Sequence, residues 1–167
     1  APERYEAFKR ELVDEVRSMP GVLDAATTTM MPLLGGSWTH IIHVGTTDNS
    51  ARFTWVSPGY FRTMGIPLLS GRNFVDHDTA TSGRVAVVNK SFVREFLGGA
   101  DPIGITMRTD PEPNYPATAY EIVGVIPDTK YNDIRRRSEP MVFAPATQNP
   151  ASGPWTAMLI YSSTTSA

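Results

Sequence analysis

Apolar positions follow two rhythms along this chain, and the slower one governs its beginning. Across Pro2 to Met19, Tyr5, Phe8, Leu12, Val16 and Met19 recur at steps of three and four, while Lys9, Arg10, Glu11, Asp14, Glu15 and Arg17 fill the rest. That spacing predicts an amphipathic helix resting on one apolar stripe and stopped by Pro20-Gly21. Strands are predicted next over Val22 to Met31 and, past a flexible Gly35-Gly36-Ser37 turn, over Thr39 to Val44. Val85 to Val88 is a short apolar strand leading into Asn89. That residue is suited to cap a helix through Leu97, on which Phe92, Val93, Phe96 and Leu97 share a face. Gly98-Gly99 ends this helix, and Asp101-Pro102-Ile103-Gly104 turns into a strand near Ile105 to Arg108. Asp110 to Pro116 holds three prolines and reads as a stiff loop. Tyr120 to Ile126 is apolar almost without interruption, as expected of a strand buried on both faces. Met141 to Phe143 and Trp155 to Tyr161 complete the strands. Because strands outnumber helices and their connections are mixed, the predicted class is α+β.

The densest information lies between Arg52 and Phe74. Phe53 and Trp55 alternate with Thr54, which predicts a strand with one buried face. Ser57 is suited to cap a short helix and Pro58 to occupy its first position. Tyr60, Phe61 and Met64 then fall on one helical face, and Gly65 supplies the stop before a second strand. Arg72 follows Gly71, and its expected role is structural: bonding carbonyls or a carboxylate such as Asp76. Nothing in this run has the look of a catalytic site.

Composition narrows the function without naming it. Of 167 residues, 41% are apolar and 19% charged, ordinary for a folded domain, and the net charge of −2 gives no reason to expect nucleic acid as a partner. With no cysteine, thiol catalysis, disulfides and thiolate metal sites are excluded. Ala25 to Thr47 and Pro140 to Ala167 lack Asp, Glu, Lys and Arg, yet Pro, Gly, Ser and Thr interrupt both, so neither reads as a membrane span. A chain that starts on a helix and stops after a strand-like run is expected to be a piece of an anchored parent.

Several blocks carry a family likeness. They are Val56-Ser57-Pro58-Gly59-Tyr60-Phe61, then Met64-Gly65-Ile66-Pro67-Leu68-Leu69-Ser70-Gly71-Arg72-Asn73-Phe74, then Val85-Ala86-Val87-Val88-Asn89 with Phe92. Asp101-Pro102-Ile103-Gly104 follows, and Glu121-Ile122-Val123-Gly124-Val125-Ile126-Pro127-Asp128 with the strand around Phe143 completes the series. In order and spacing this series resembles the MacB-like periplasmic core domain, the extracytoplasmic part of MacB/FtsX-type ABC transporter permeases. One departure is Lys90, where family members often carry an acidic residue. The resemblance implies an extracytoplasmic domain between two membrane helices of a permease. It implies a porter-like α+β lobe built from both ends of the chain (about 1–75 plus 155–167) and an inserted, mostly β lobe (about 76–154). The implied partners are the flanking membrane helices, a second permease copy or paired permease, and an ATPase subunit or domain on the cytoplasmic side. The implied function is non-catalytic coupling of membrane-helix movement to export or signalling, with no cofactor. Ser57, Pro58, Tyr60, Phe61, Met64, Gly65, Gly71, Arg72, Asn89 and Gly124 are then structural motif residues.

The residues leave two other readings to weigh: a small-molecule sensor with a pocket between lobes, and a metal-dependent hydrolase using His40, His43 or His77 with nearby aspartates. Against the second, His40 and His43 are three apart on a predicted strand and point to opposite faces, and His77 sits in a polar loop. There is no Gly-x-Ser-x-Gly elbow, no Ser-x-x-Lys pair and no phosphate-binding glycine loop followed by lysine. Two surface features are candidates for interaction. Trp38 follows two glycines and a serine, either as a loop tip that meets a partner or folded back on the core. Arg135, Arg136 and Arg137, with Lys130 upstream, form either a solvated run or a contact for lipid headgroups or an acidic surface.

Overall fold

A computed structural model describes residues 2–31, 38–129, 137–153 and 156–163. The described strands form one nine-stranded sheet. In chain order they are β1 (Val22–Thr28), β2 (Thr39–Val44), β3 (Thr47–Val56), β4 (Ser70–Gly71), β5 (Val85–Asn89), β6 (Thr106–Thr109), β7 (Ala119–Ile126), β8 (Met141–Pro145) and β9 (Ala157–Ser162). The helices are α1 (Pro2–Arg17), α2 (Tyr60–Thr63) and α3 (Lys90–Leu97), with a 3-10 turn at Ala146–Gln148.

Neighbouring strands run β2-β6-β7-β5-β8-β3, and β3 pairs back onto β2, so these six close a ring. The closure depends on the length of β3. Its first half pairs with β2 from Thr47↔Val44 to Arg52↔Thr39, and its second half runs parallel to β8 from Arg52↔Met141 to Val56↔Pro145. At its end β3 also meets β1, through Thr28↔Val56, and β1 in turn pairs with β9. The polar half of β3, Thr47 to Ser50, carries no apolar alternation and is not predicted from the sequence. Its partner β2, and not burial, makes it a strand.

Alternating side chains of the central strands serve two cores. Ala86, Val88, Val142 and Ala144 join Phe53, Trp55, Ile122 and the stacked Phe92 and Phe96 of α3 on one side. Val85, Val87, Met141 and Phe143 join Val56, Tyr60, Phe61 and Phe74 on the other. This two-sided burial is why β5, β7 and β8 read as continuous apolar runs. Each large side chain so buried contributes about 1.5–3 kcal/mol.

Asn89 lies at the meeting point of β5, α3 and β8. It caps α3 as predicted: its Oδ1 accepts the Phe92 N–H at 3.0 Å. The same oxygen accepts the Met141 N–H at 2.9 Å, and its Nδ2 donates to the Glu139 carbonyl at 2.9 Å.

Three local expectations need correction. The buried face of α1 is Lys9, Val13 and Val16, packed on Ala25 of β1, whereas Tyr5, Phe8 and Met19 of the predicted stripe are exposed. The helix is rotated because the Lys9 ammonium is satisfied inside, by Glu6 at 2.8 Å and by Ser152 at 3.2 Å. The short helix begins after Gly59, whose left-handed φ of 87° stops helical backbone from starting at Ser57-Pro58. Ser57 instead ties the chain to β1: its hydroxyl accepts the Thr27 N–H at 2.8 Å and its own N–H donates to the Thr27 carbonyl at 2.9 Å. Finally, the strand expected after Gly65 is only the two residues of β4.

A carboxylate clamp fixes α1 and α2 to β1. Asp24 accepts from Arg17 Nε at 2.9 Å, from Arg62 Nε at 2.8 Å and from the Ala25 N–H at 2.9 Å. The bond from Arg62 above all holds the Asp24 carboxyl at about 2, overcoming burial, which pushes it up.

Two predictions follow from these centres. Asn89→Ala strands two buried N–H groups and a carbonyl and costs about 3 kcal/mol in urea unfolding, against under about 0.5 kcal/mol for exposed Asn49→Ala; a loss below about 1 kcal/mol contradicts the role given to Asn89. Because the folded pKa of Asp24 is depressed, its contribution is present above the unfolded value near 4 and is lost as pH falls through about 2. The urea midpoints of the wild type and Asp24→Asn therefore converge across that interval, and a gap of constant size contradicts the clamp.

Candidate functional site

The join of β4 to β7 is built by two glycines. A Cβ on Gly71 would lie 2.1 Å from the Val123 carbonyl oxygen, and one on Gly124 would lie 2.4 Å from that of Arg72. Both positions therefore admit only glycine, and Gly71 also has a φ of 75°. Next to this contact β7 carries a bulge: Ala86 pairs with Ile122, but Val87 pairs with Gly124.

From this join Arg72 reaches the segment that follows. Its partner is Asp78 and not Asp76: Nη1 meets Oδ2 and Nη2 meets Oδ1, each at 2.9 Å. Burial pushes the Asp78 carboxyl up, but the Arg72 bonds and the Val75 N–H more than reverse this and leave it lowered. Gln148, buried in the 3-10 turn, fixes the neighbouring loop. Its Oε1 accepts the Val85 N–H at 3.1 Å, and its Nε2 donates to the Thr79 and Gly83 carbonyls at 3.2 and 2.9 Å. Sequence reasoning missed Gln148, since a glutamine in a loop carries no pattern.

Between α1 and this loop lie two adjoining cavities. One of about 320 Å³ is lined by Lys9, Arg10, Arg17, Ser57 and Asp76 among others. The other, of about 370 Å³, is lined by Arg10, Thr79, Thr81, Arg84, Gln148 and Asn149 among others. Glu6, Arg10 and Thr147 border both, so together they make one groove in which charged side chains stand beside a larger apolar surface.

At the β2 end of the ring the two histidines face opposite ways, as alternation predicts. His40 is buried and His43 is partly exposed. The His40 ring lies 3.0 Å from Glu112 and stacks with Trp38. Burial lowers its pKa, and the Glu112 charge opposes this. His43 stands between two carboxylates, Asp110 at 2.7 Å and Asp48 at 2.6 Å, whose bonds raise its pKa. His43 thus ties Asp110, at the start of the proline-rich loop, to β2, whereas neither ring nitrogen of His40 makes a hydrogen bond among the described residues and its ring only packs there. Trp38 lies over the 110–116 loop with about a third of its surface exposed (37%): it donates to Glu112 at 3.1 Å and meets Tyr115 edge-on at 4.2 Å. Among the described residues no three His, Asp or Glu side chains are placed to hold a metal ion.

The other predicted residues scatter. Tyr60 and Phe61 are buried in the second core, while Met64 points outward at the end of α2 instead of sharing their face. Gly65 stops α2 with a φ of 65°. Pro58 borders the groove. Arg137 is exposed, and Arg135, Arg136 and Lys130 lie outside the described residues. No described helix is long and apolar enough to cross a membrane.

Solved structures share this arrangement. The periplasmic region of MacB from Actinobacillus actinomycetemcomitans superposes with a TM-score of 0.67 at 16% identity, covering 95% of this chain and 66% of that one. The extracellular domain of the noncanonic ABC-type transporter YknZ from Gram-positive bacteria gives 0.65 at 13% identity, covering 92% and 72%. A domain of a putative permease protein from Porphyromonas gingivalis gives 0.61 at 19%, covering 93% and 68%. This chain thus spans about two thirds of the length of these relatives. No curated protein matches it. At these identities the structures establish the fold alone; the family itself is established by a sequence profile, described as MacB-like periplasmic core domain, that matches residues 2–166. The chain belongs to the MacB-like periplasmic core domain family.

Proposed function

We propose that this domain is a non-catalytic extracytoplasmic part of an ABC-type permease that couples movement of membrane helices to export or signalling. The family match over residues 2–166 supports the setting. The observation that carries the coupling role is the continuity of the sheet: β9 pairs with β1, β1 meets β3, and β3 belongs to the ring. A push delivered to the first or last elements thus meets hydrogen-bonded strands all the way to the far side of the molecule. In this reading the porter-like lobe is formed by the two ends of the chain and the inserted β-rich lobe follows at about 76–154, with Arg72–Asp78 beside their join. The partners are the flanking membrane helices, a second permease copy or paired permease, and a cytoplasmic ATPase. The motif residues serve this body by packing and turning the chain, and exposed Arg137 is available to a partner's acidic surface or lipid headgroups.

The test uses the full-length permease. A cysteine at exposed Lys90 reacts with a membrane-impermeant maleimide in intact cells, and replacing residues 2–163 with a flexible linker abolishes transport or signalling while the membrane helices still insert. Labelling only after permeabilisation contradicts the location, and unchanged function with the linker contradicts coupling.

A further inference from the structure

The groove between α1 and the 79–84 loop shows an imbalance of charge once every nearby carboxylate is assigned. Glu6 is held by Lys9 at 2.8 Å and by the Ser152 hydroxyl. Asp14 lies 3.6 Å from Arg17, and Asp78 is engaged by Arg72. Asp76 borders only the smaller cavity. Around the larger cavity this leaves Arg10, on α1, and Arg84, just before β5, with no carboxylate partner among the described residues.

The neutral groups lean the same way. Arg84 spends one N–H on the Gln148 carbonyl at 3.0 Å and keeps the rest of its fork. Asn149 uses its Oδ1 to accept the Ala151 N–H at 3.0 Å, which leaves its NH₂ as a donor. The Thr79 and Thr81 hydroxyls bond each other at 3.2 Å, so one of the two protons is still free. The Gln148 amide is consumed by the loop. The wall therefore offers free donors beside the Lys9-paired Glu6 carboxylate, with guanidinium groups from two separate elements. At about 370 Å³ the cavity is large enough for a small organic molecule.

We infer that this cavity binds a small soluble oxyanion, a molecule bearing carboxylate or phosphate groups, between Arg10 and Arg84. Planar guanidinium forks bond such groups in pairs and match their acceptor-only oxygens. Because Arg10 stands on α1 and Arg84 opens a ring strand, the ligand bridges the first helix to the ring, so occupancy stiffens the contact between them. This site is independent of the coupling role and stands or falls by itself.

The experiment is a titration of the full 167-residue chain, followed by amide NMR at low ionic strength, with succinate, inorganic phosphate and a glutamate-containing tripeptide as probes. Succinate or phosphate produces saturable shifts at Thr81, Arg84 and Asn149. Arg10→Gln and Arg84→Gln each weaken binding about tenfold or more, Arg10→Lys keeps the charge but loses the fork and recovers only part of it, and Arg4→Gln on the same helix has no effect. Arg10 is exposed, so its variants keep the fold, and an unchanged far-ultraviolet dichroism spectrum verifies this. Shifts that never saturate with any of the three probes, or wild-type affinity in either glutamine variant, overturn the assignment.

Discussion

The structure depends on one strand being long enough to do three jobs. β3 closes the ring by pairing β2 along its first half and β8 along its second, then accepts β1 at its end. Were it shorter by half, either the ring would open or the α1–β1–β9 layer would lose its backbone link to the rest. Its sequence reflects the division. Thr47 to Ser50 is polar because that half is held by pairing at the surface, whereas Phe53, Trp55 and Val56 supply both cores.

Around that strand, polar groups do the fastening and apolar groups the filling. Asn89 satisfies donors from α3 and β8 together, the Asp24 carboxylate gathers guanidinium groups from α1 and α2, and Asp78 locks Arg72 beside the glycine contact of β4 with β7. Asn89 reaches Met141 and Asp24 reaches Arg62 across long stretches of sequence, whereas Arg72 and Asp78 lie six residues apart. Asn89, Asp24 and Asp78 are themselves buried, so stripping their partners leaves a buried polar group unpaired. A body held in this way resists bending, which is what the proposed coupling role requires.

What could be read in the sequence was whatever depends on near neighbours. The runs Val85 to Asn89 and Tyr120 to Ile126 announced strands buried on both faces, Asn89 announced a cap, and the spacing of His40 and His43 announced opposite faces. The ordered family-like blocks also pointed to the right fold. What stayed hidden was set by distant partners. Ser57 is suited to cap a helix until the Thr27 backbone, 30 residues away, claims its hydroxyl. Lys9 belongs outside on any hydropathy argument, yet Ser152, 143 residues on, and Glu6 make its burial tolerable and turn α1 on its axis. Arg72 could reach either of two aspartates, and the turn from Val75 to Asp78 decided between them. The groove escaped notice for the same reason: Arg10, Arg84 and Asn149 come from three segments that only the fold assembles.

The central claim is that the ring and the α1–β1–β9 layer move as one body through β3, and native-state hydrogen exchange tests it most directly. The Arg52 and Phe53 amides bond to Pro140 and Trp38 on the ring side, while the Thr29 and Ser57 amides bridge β1 and β3. The account predicts that all four exchange only through global unfolding, with one common free energy and one common denaturant dependence. Exchange of Thr29 and Ser57 through a separate, lower-energy opening would show that the layer detaches from the ring, and the coupling role would fail with it.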